Sequence, residues 1–482
     1  MAASKFAGFP TALIRETPGG KALKQLLWGD FVTLTGPAQN GWQPARSRDV
    51  SGFIAEAELI PNRLLEIVFV DIGQGDGALI VTPDDKHLLV DAGEGDNMYR
   101  FLRWRYGRFA KPFRFEAAVI THSDQDHYKG FDAVFADPKV SFGAIYHNGV
   151  VERAGSDSLG PRSQGYLTDV VETHQQLKNL VGQAAVRGTK QYPNMLHKAL
   201  TSGRVADSRG VSAADGHLPN FAPGQRPLAI QLLGPVRDQL NGANRLKWFG
   251  DVGKTKNGHS VVLRIVYGDV SILLGGDLNI PAENHLLSKH TGYPSPPSDQ
   301  DRSAMLEGAR KVFRSDVAKA CHHGSADFTD LFLQSVDPLV TIISSGDDEP
   351  YAHPRADSLG AVGRWGRGGR PLVFSTELAR SARDTMTRPY VWRQKVAEAQ
   401  AALNALPPGA QRDKAQKKVD DLLAQVERSI AVYGAINLRT DGQRIVMAQK
   451  IEAPRSKDKG WDIYVLEPDS NGVLRYTSKY EN

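Results

Sequence analysis

Short apolar runs, each stopping at a polar or glycine-containing turn, recur through the middle of this chain. Phe115-Glu116-Ala117-Ala118-Val119-Ile120 ends on β-branched residues. Ile230-Gln231-Leu232-Leu233, Ser271-Ile272-Leu273-Leu274, Val317-Ala318-Lys319-Ala320 and Leu339-Val340-Thr341-Ile342-Ile343 repeat the plan. Runs of this length bounded by turns read as buried strands. Residues 64–92 add two more around the turn Gly73-Gln74-Gly75-Asp76-Gly77.

The first sixty residues have a different rhythm. Ala12-Leu13-Ile14-Arg15, Asp30-Phe31-Val32-Thr33-Leu34-Thr35, Trp42-Gln43-Pro44-Ala45-Arg46 and Gly52-Phe53-Ile54 read as short strands, with Gly19-Gly20, Gly36-Pro37 and Asn40-Gly41 turning between them. A small all-β barrel is expected, ending at Pro61-Asn62. Trp28, Trp42 and Phe53 either line a peptide groove or fill its core, the second being simpler. Over 99–115, arginines alternate with aromatic residues. On a helix, Leu102, Tyr106, Phe109 and Phe113 would share the buried face, leaving Arg103 and Trp104 outside. That outer face is either a phosphate-binding surface or an ordinary solvated one.

Residues 132–235 carry the weakest pattern. Helical spacing over 167–180 precedes a polar stretch, 201–226, which reads as an insertion loop: a lid, a substrate wall or plain surface. His174, His197 and His217 are expected to face solvent. Residues 281–315 read as helical, interrupted at Tyr293-Pro294-Ser295-Pro296-Pro297. Residues 390–406 and 410–433, split by Pro407-Pro408-Gly409, read as a helical hairpin. It would either mediate dimerisation or, more simply, pack on its own chain. Two strands beyond it are expected to rejoin the sheet at its edge.

Composition narrows the picture only a little. The 482 residues are 41% hydrophobic and 23% charged, ordinary for a globular protein and enough for more than one core. A net charge of +5 does not by itself imply nucleic acid. The lone Cys321 excludes an internal disulfide. No apolar run approaches the roughly 20 residues of a membrane helix. With no signal-peptide core in the first ten residues, the expectation is a cytoplasmic protein without a membrane anchor.

The candidate chemistry lies where the strands stop. After Ile120 comes Thr121-His122-Ser123-Asp124-Gln125-Asp126-His127, placing two imidazoles and two carboxylates within six residues. Such a set suits divalent metal ions; the plain alternative is a polar strand-to-helix turn capped by Asp124 or Asp126. Asp277 follows a second strand, His322-His323-Gly324-Ser325 a third, and His353-Pro354 a loop after the fourth. Strand ends converging on one sheet edge are how a site is built on rigid elements.

The ordered set H-x-D-x-D-H, G-D, H-H-G-S and H-P resembles the metallo-β-lactamase superfamily, and within it the hydrolase domain attached to ComEC-like competence proteins. Phe69-Val70-Asp71-Ile72-Gly73-Gln74-Gly75-Asp76-Gly77, Asp91-Ala92-Gly93, Asn257-Gly258-His259-Ser260 and Ser344-Ser345-Gly346 support that branch. The likeness covers about 64–376. It implies an α+β fold: a four-layer αββα sandwich over 61–389 with an insertion at about 150–226. A barrel similar to bacterial SH3 domains would precede it at 1–60, the hairpin would span 390–433, and strands at 434–482 would return to the core.

The resemblance also implies two divalent ions, Zn²⁺ or Mn²⁺. His122 and Asp124 would hold one, Asp126 and His127 the other, and Asp277 would bridge. One of His322 and His323 would complete a shell, the choice staying open. Most members carry histidine where this chain has Asp124, so the site is harder and Mn²⁺ competes. His353 is a further ligand or a proton donor, Asp126 orients the attacking water, and His259 is an extra ligand or, more simply, a packing residue. Ser325, Arg103 and Asn257 are the substrate-binding candidates, with Arg364, Arg367 and Arg370 also compatible with phosphate. The implied reaction is phosphodiester hydrolysis, of DNA, by an activated water. Alternatives are a hydrolase of a small ester, lactone or cyclic nucleotide, and a docking protein working through the SH3-like module. The implied partners are DNA, a protein bound by that module, and a second copy through the hairpin.

Overall fold

Alternation along the central strands decides which layer each residue joins. In the strand Leu65–Phe69, Leu65, Ile67 and Phe69 enter one buried cluster while Val68 enters another, and all five residues are buried. A strand apolar on both faces belongs to a sheet covered on both sides. The computed structural model describes residues 4–346, 351–376, 389–429, 432–452 and 454–478. Two such sheets face each other in it.

One sheet runs Val205–Gly210, Val140–His147, Phe113–Ile120, His87–Val90, Ala78–Val81, Leu65–Phe69, Ile436–Thr440, Ile445–Lys450, Trp461–Pro468 and Leu474–Tyr476. The other runs Ala229–Gly234, Val262–Tyr267, Val270–Leu274, Val317–Lys319, Val340–Ile343 and Leu372–Ser375. Ile67, Ile80 and Val119 from the first meet Ile265, Ile272 and Ile342 from the second. Met98, Leu102, Phe131 and Leu196 bring helices onto one outer face, and Leu286, Ala309 and Phe332 onto the other. The result is the expected α+β sandwich of four layers, αββα.

The C-terminal strands do return to this sheet. Ile436–Thr440 pairs antiparallel with Leu65–Phe69, Leu438 opposite Ile67, and the later strands extend the sheet from there. Before them, the hairpin helices Pro389–Asn404 and Ala410–Ser429 pack through Ala399, Leu403 and Val419. Arg108 donates to Asp420 Oδ1 at 3.1 Å and to its carbonyl at 2.6 Å, so the hairpin docks on its own chain.

The N-terminal unit is all-β, with seven strands. Trp28, 1% exposed, packs with Leu27, Leu64, Val446 and Ala448 and thereby joins this unit to the sheet. Trp42 and Phe53 are half-buried.

Three expectations change. The helix over 99–115 is shorter: Asn97–Arg105 ends at Gly107 (φ 58), and Phe113 already opens a strand. Left-handed glycine closes a helix cheaply. The Tyr106 and Phe113 rings meet tilted at 4.2 Å and Phe113 and Phe115 edge-to-face at 4.9 Å, so these aromatics pack onto the core. The arginines pair internally, Arg100 with Asp96 at 2.8 Å and Arg105 with Glu66 at 2.6 Å.

The stretch 201–226 is likewise no plain loop, since Val205–Gly210 pairs parallel with Val140–His147 as an edge strand. Only Val205, Ser208 and Gly210 of it are buried, which is why its apolar signal is faint. His174, His197 and His217 are half-buried, not solvent-exposed.

Glu283, in the helix Ile280–Thr291, is 1% exposed and accepts a hydrogen bond from the Thr329 amide at 2.5 Å. Burial pushes its pKa from 4.5 up to about 8. A carboxyl whose folded pKa is raised holds more protons folded than unfolded. Stability tied to it is therefore full below about pH 4.5 and declines as pH rises toward 8. Glu283→Gln is expected to flatten that decline, read as urea midpoints at pH 5 and pH 8.

Candidate metal centre

Most groups at the site follow the end of a core strand. Leu65–Phe69 leads to Asp71 and Asp76, His87–Val90 to Asp91, Phe113–Ile120 to Thr121 and His122, Val270–Leu274 to Asp277, Val317–Lys319 to His322 and His323, and Val340–Ile343 to Ser344. The turn carrying Asp76 lies flat against the Asp126 backbone, where Asp76 N donates to Asp126 O at 3.2 Å. Gly75 permits this: at φ 102, a Cβ there would stand 1.7 Å from that carbonyl oxygen.

Asp76, His127, Asp277 and His323, all buried, offer ligand atoms within 4.8 Å of one another. His127 Nδ1 is 2.8 Å from Asp91 Oδ2, and Asp91 also accepts from Thr121 N at 2.8 Å and Thr121 Oγ1 at 2.6 Å. His323 Nδ1 is 3.1 Å from the Ser344 carbonyl oxygen and 3.3 Å from Asp76 Oδ1. Each ring thus spends Nδ1 on an acceptor and presents Nε2 to the cluster. Those two Nε2 atoms stand 3.2 Å apart, and 3.2 and 3.1 Å from Asp277 Oδ2. Asp126 Oδ2 is 3.4 Å from His323 Nε2.

These spacings fit a cation. Two ligands about 2.0–2.1 Å from one ion at a tetrahedral angle stand roughly 3.3 Å apart. Asp277 Oδ1 and His122 Nε2 are moreover buried without a hydrogen-bond partner, which favours a positive ligand at that edge. Electrostatics agree. Burial disfavours charge on His127, yet Asp277, Asp91 and Asp126 hold its pKa well above the ordinary value. Burial would raise Asp277, but His127 and His323 hold it well below.

The remaining predicted residues lie in a second group. His122 is fully buried, its ring 4.1 Å from that of His127 and its Nε2 3.7 Å from Asp124 Oδ2. Asp124 is ion-paired with Lys256, whose ammonium also reaches Glu152 at 3.2 Å. Despite burial, His122 and Lys256 hold the Asp124 pKa at about 2. Asn257 stands 3.5 Å from His322 Nε2, and turning its amide lets it donate to Asp124 Oδ2 at 2.6 Å. His322 faces Asn257 and His353, whose ring is 5.7 Å away, so His323 is the imidazole that joins the cluster.

A cavity of about 390 Å³ opens here, lined by Gln74, Glu94, Asp124, Asp126, Asn257, Asp277, His322, His323, Tyr351 and His353 among others. Three substrate candidates lie elsewhere. Ser325 lines a separate apolar pocket with Cys321 and Phe332. Arg103 lies over Tyr99 at 5.6 Å. Arg367 pairs with Asp316 at 2.5 Å, before the strand Val317–Lys319 and so at the end away from His323. His259 is a packing residue, bonded to the Lys247 carbonyl at 2.7 Å.

Sequence reasoning did not assign Asp76, Asp91, Lys256 or Lys319. Lys319 is buried, ion-paired with Asp76, 3.7 Å from Asp277 Oδ1, and donates to Gly276 O at 3.2 Å. A lysine inside an apolar run was its signal, as was the lone acid in each of Gly75-Asp76-Gly77 and Asp91-Ala92-Gly93. Carboxylates behind metal-binding histidines fix ring orientation, and their loss typically costs about 10–100-fold in affinity or activity. Asp91→Asn is expected to lower metal affinity in that range, measured by metal titration.

Residues 70–324, just over half of the chain, match the Metallo-beta-lactamase superfamily. The chain belongs to that superfamily. Among curated proteins, this superfamily member is 23% identical over 297 residues to ComE operon protein 3 of Bacillus subtilis (strain 168), covering 61% of this chain and 30% of that protein. It is 32% identical over 99 residues to Competence protein ComA of Neisseria gonorrhoeae, covering 20% and 12%. The chain therefore spans less than a third of either relative. Among solved structures it is similar to MEM-A1, a subclass B3 metallo-beta-lactamase isolated from a soil metagenome library (14% identity, 53% and 79% coverage, TM-score 0.24). It is also similar to a protein of unknown function from Enterococcus faecalis V583 (13%, 58% and 54%, TM-score 0.24).

These relatives overturn the cytoplasmic expectation. One is named ComE operon protein 3 and the other Competence protein ComA, and both extend far beyond the matched region. No helix among the described residues is long and apolar enough to cross a membrane, and that does not place this superfamily member in the cytoplasm.

Proposed function

We propose that this protein is a metal-dependent phosphodiesterase that cleaves DNA. The observation that carries the reading is the buried cluster of Asp76, His127, Asp277 and His323, with ligand atoms within 4.8 Å of one another and Asp126 3.4 Å from His323, beside a cavity that Asp126, Asp277 and His323 also line. DNA is proposed as the substrate on the likeness to the relative named Competence protein ComA. A divalent cation in that shell, Zn²⁺ or Mn²⁺, supplies charge stabilisation for phosphate oxygens and a water of lowered pKa.

The chain's own residues do the rest. Asp91 and Asp76 hold the two imidazoles in register through Nδ1. Asp126 orients the attacking water, and His353, across the cavity beside His322, donates a proton to the departing oxygen. His122 and Asp124 are proposed to help hold a second cation, with Lys256 already offsetting part of the Asp124 charge.

Among the described residues the cavity wall carries Glu94, Asp124, Asp126 and Asp277 and neither lysine nor arginine. A bare wall of this kind repels a phosphodiester, so the cation serves substrate binding as well as chemistry. Protein loaded with Mn²⁺ or Zn²⁺ is expected to degrade single- or double-stranded DNA, and EDTA to abolish both cleavage and DNA binding at the cavity. Turnover of lactones or small esters with none of DNA would overturn the reading.

A further inference from the structure

A second cavity, of about 270 Å³, lies between the N-terminal all-β unit and the ten-stranded sheet. Its basic lining residues are Lys24, Arg48, Arg105, Arg439, Lys450 and Lys457, against Asp30 and Asp49. It sits beside the Glu66 end of the strand Leu65–Phe69, whereas the metal cluster follows the other end.

Most of the acid is already committed. Glu66 takes Arg105 at 2.6 Å and Arg439 at 2.9 Å, Asp30 is 3.6 Å from Arg439, and Asp49 is 3.6 Å from Lys24. Among the described residues Arg48 has no such partner. Its guanidinium lies 3.8 Å from the centre of the Trp104 ring, and the Lys450 ammonium lies 5.7 Å from the same ring. The residue adopts φ 57, a left-handed conformation unfavourable for a residue with a side chain. Arg48 is exposed where it lines the cavity. Lys457 is exposed at the rim, and Trp104 and Trp461 are half-buried in the walls.

A guanidinium fork and an ammonium that make no ion pair with a carboxylate of the described residues, beside indole rings, match the chemistry of a phosphate attached to a planar base. We propose that this pocket binds the phosphate of a nucleotide, free or within a strand, apart from the metal cluster.

The test uses full-length, metal-loaded protein and two probes: thymidine 5′-monophosphate and a phosphorothioate-linked oligothymidylate of about twelve residues that resists hydrolysis. Binding is followed by calorimetry and by quenching of tryptophan fluorescence. Arg48→Gln and Lys457→Gln are each expected to weaken binding about tenfold, the loss of a charge-assisted contact. Cleavage of bis(4-nitrophenyl) phosphate should be unchanged in both. Variant-sensitive binding of the mononucleotide identifies a free nucleotide as ligand; such binding of the oligonucleotide alone identifies a strand. If neither probe binds, or if both variants bind as the wild type does, the pocket has no such role. Because Lys457 is an exposed side chain, its variant reads binding without risk to the fold. Binding is scored without hydrolysis, so a protein that binds but fails to cleave DNA sinks the nuclease reading and leaves this one standing.

Discussion

Asp277→Ala is expected to lower metal-dependent DNA cleavage by more than about a hundredfold, beyond what loss of a residue behind a ligand costs. Asp277 Oδ2 is the atom both imidazoles share, at 3.2 and 3.1 Å. Removing it takes the central negative charge from between His127 and His323. The cation then loses an anionic ligand, and the acidic wall loses part of its hold on metal. Metal content after gel filtration should fall in parallel with rate. Asp277→Asn keeps the shape and drops the charge, so an equal loss there assigns the effect to charge. A variant that cleaves DNA at the wild-type rate would remove this cluster from the reaction.

Glu66→Ala is expected to destabilise the fold by about 3–5 kcal/mol, the cost of stranding buried charge. Glu66 is 5% exposed and stands between Arg105 and Arg439, the latter 2% exposed. Burial alone would raise its pKa, but the two arginines hold it at about 2, against an ordinary 4.5. With a depressed folded pKa, its contribution is full above about pH 4.5 and is lost as pH falls toward 2. The variant should therefore differ most from wild type at neutral pH and converge with it in acid, checked by urea unfolding at pH 7 and pH 3. Because Arg439 also faces Asp30 at 3.6 Å, the loss should loosen the N-terminal unit as well.

Much of the site could be read along the chain because its residues follow strands. Once Phe115–Ile120 and Ser271–Leu274 are strands, His122 and Asp277 must fall at their mouths. The helix over 99–115 misled for a related reason. Its aromatics have helical spacing, but Gly107 breaks the helix and Tyr106, Phe109 and Phe113 close over the sheet instead. No period of the sequence encodes which acid an arginine will meet, and Arg105 and Arg108 found Glu66 and Asp420, 39 and 312 positions away.

By itself the sequence determined the layers, the strand ends and the residue types gathered there, since these follow from local alternation and turn chemistry. Only the tertiary structure decided that His323 and not His322 joins the cluster, that Asp76 and Asp91 stand behind the two imidazoles, and that Lys256 and Lys319 neutralise acids at its margin. Adjacent side chains leave a turn in different directions, and which of them meets a distant carboxylate is set by how the two sheets pack. That packing is a sum of many weak contacts over the whole core, not a property of any one stretch.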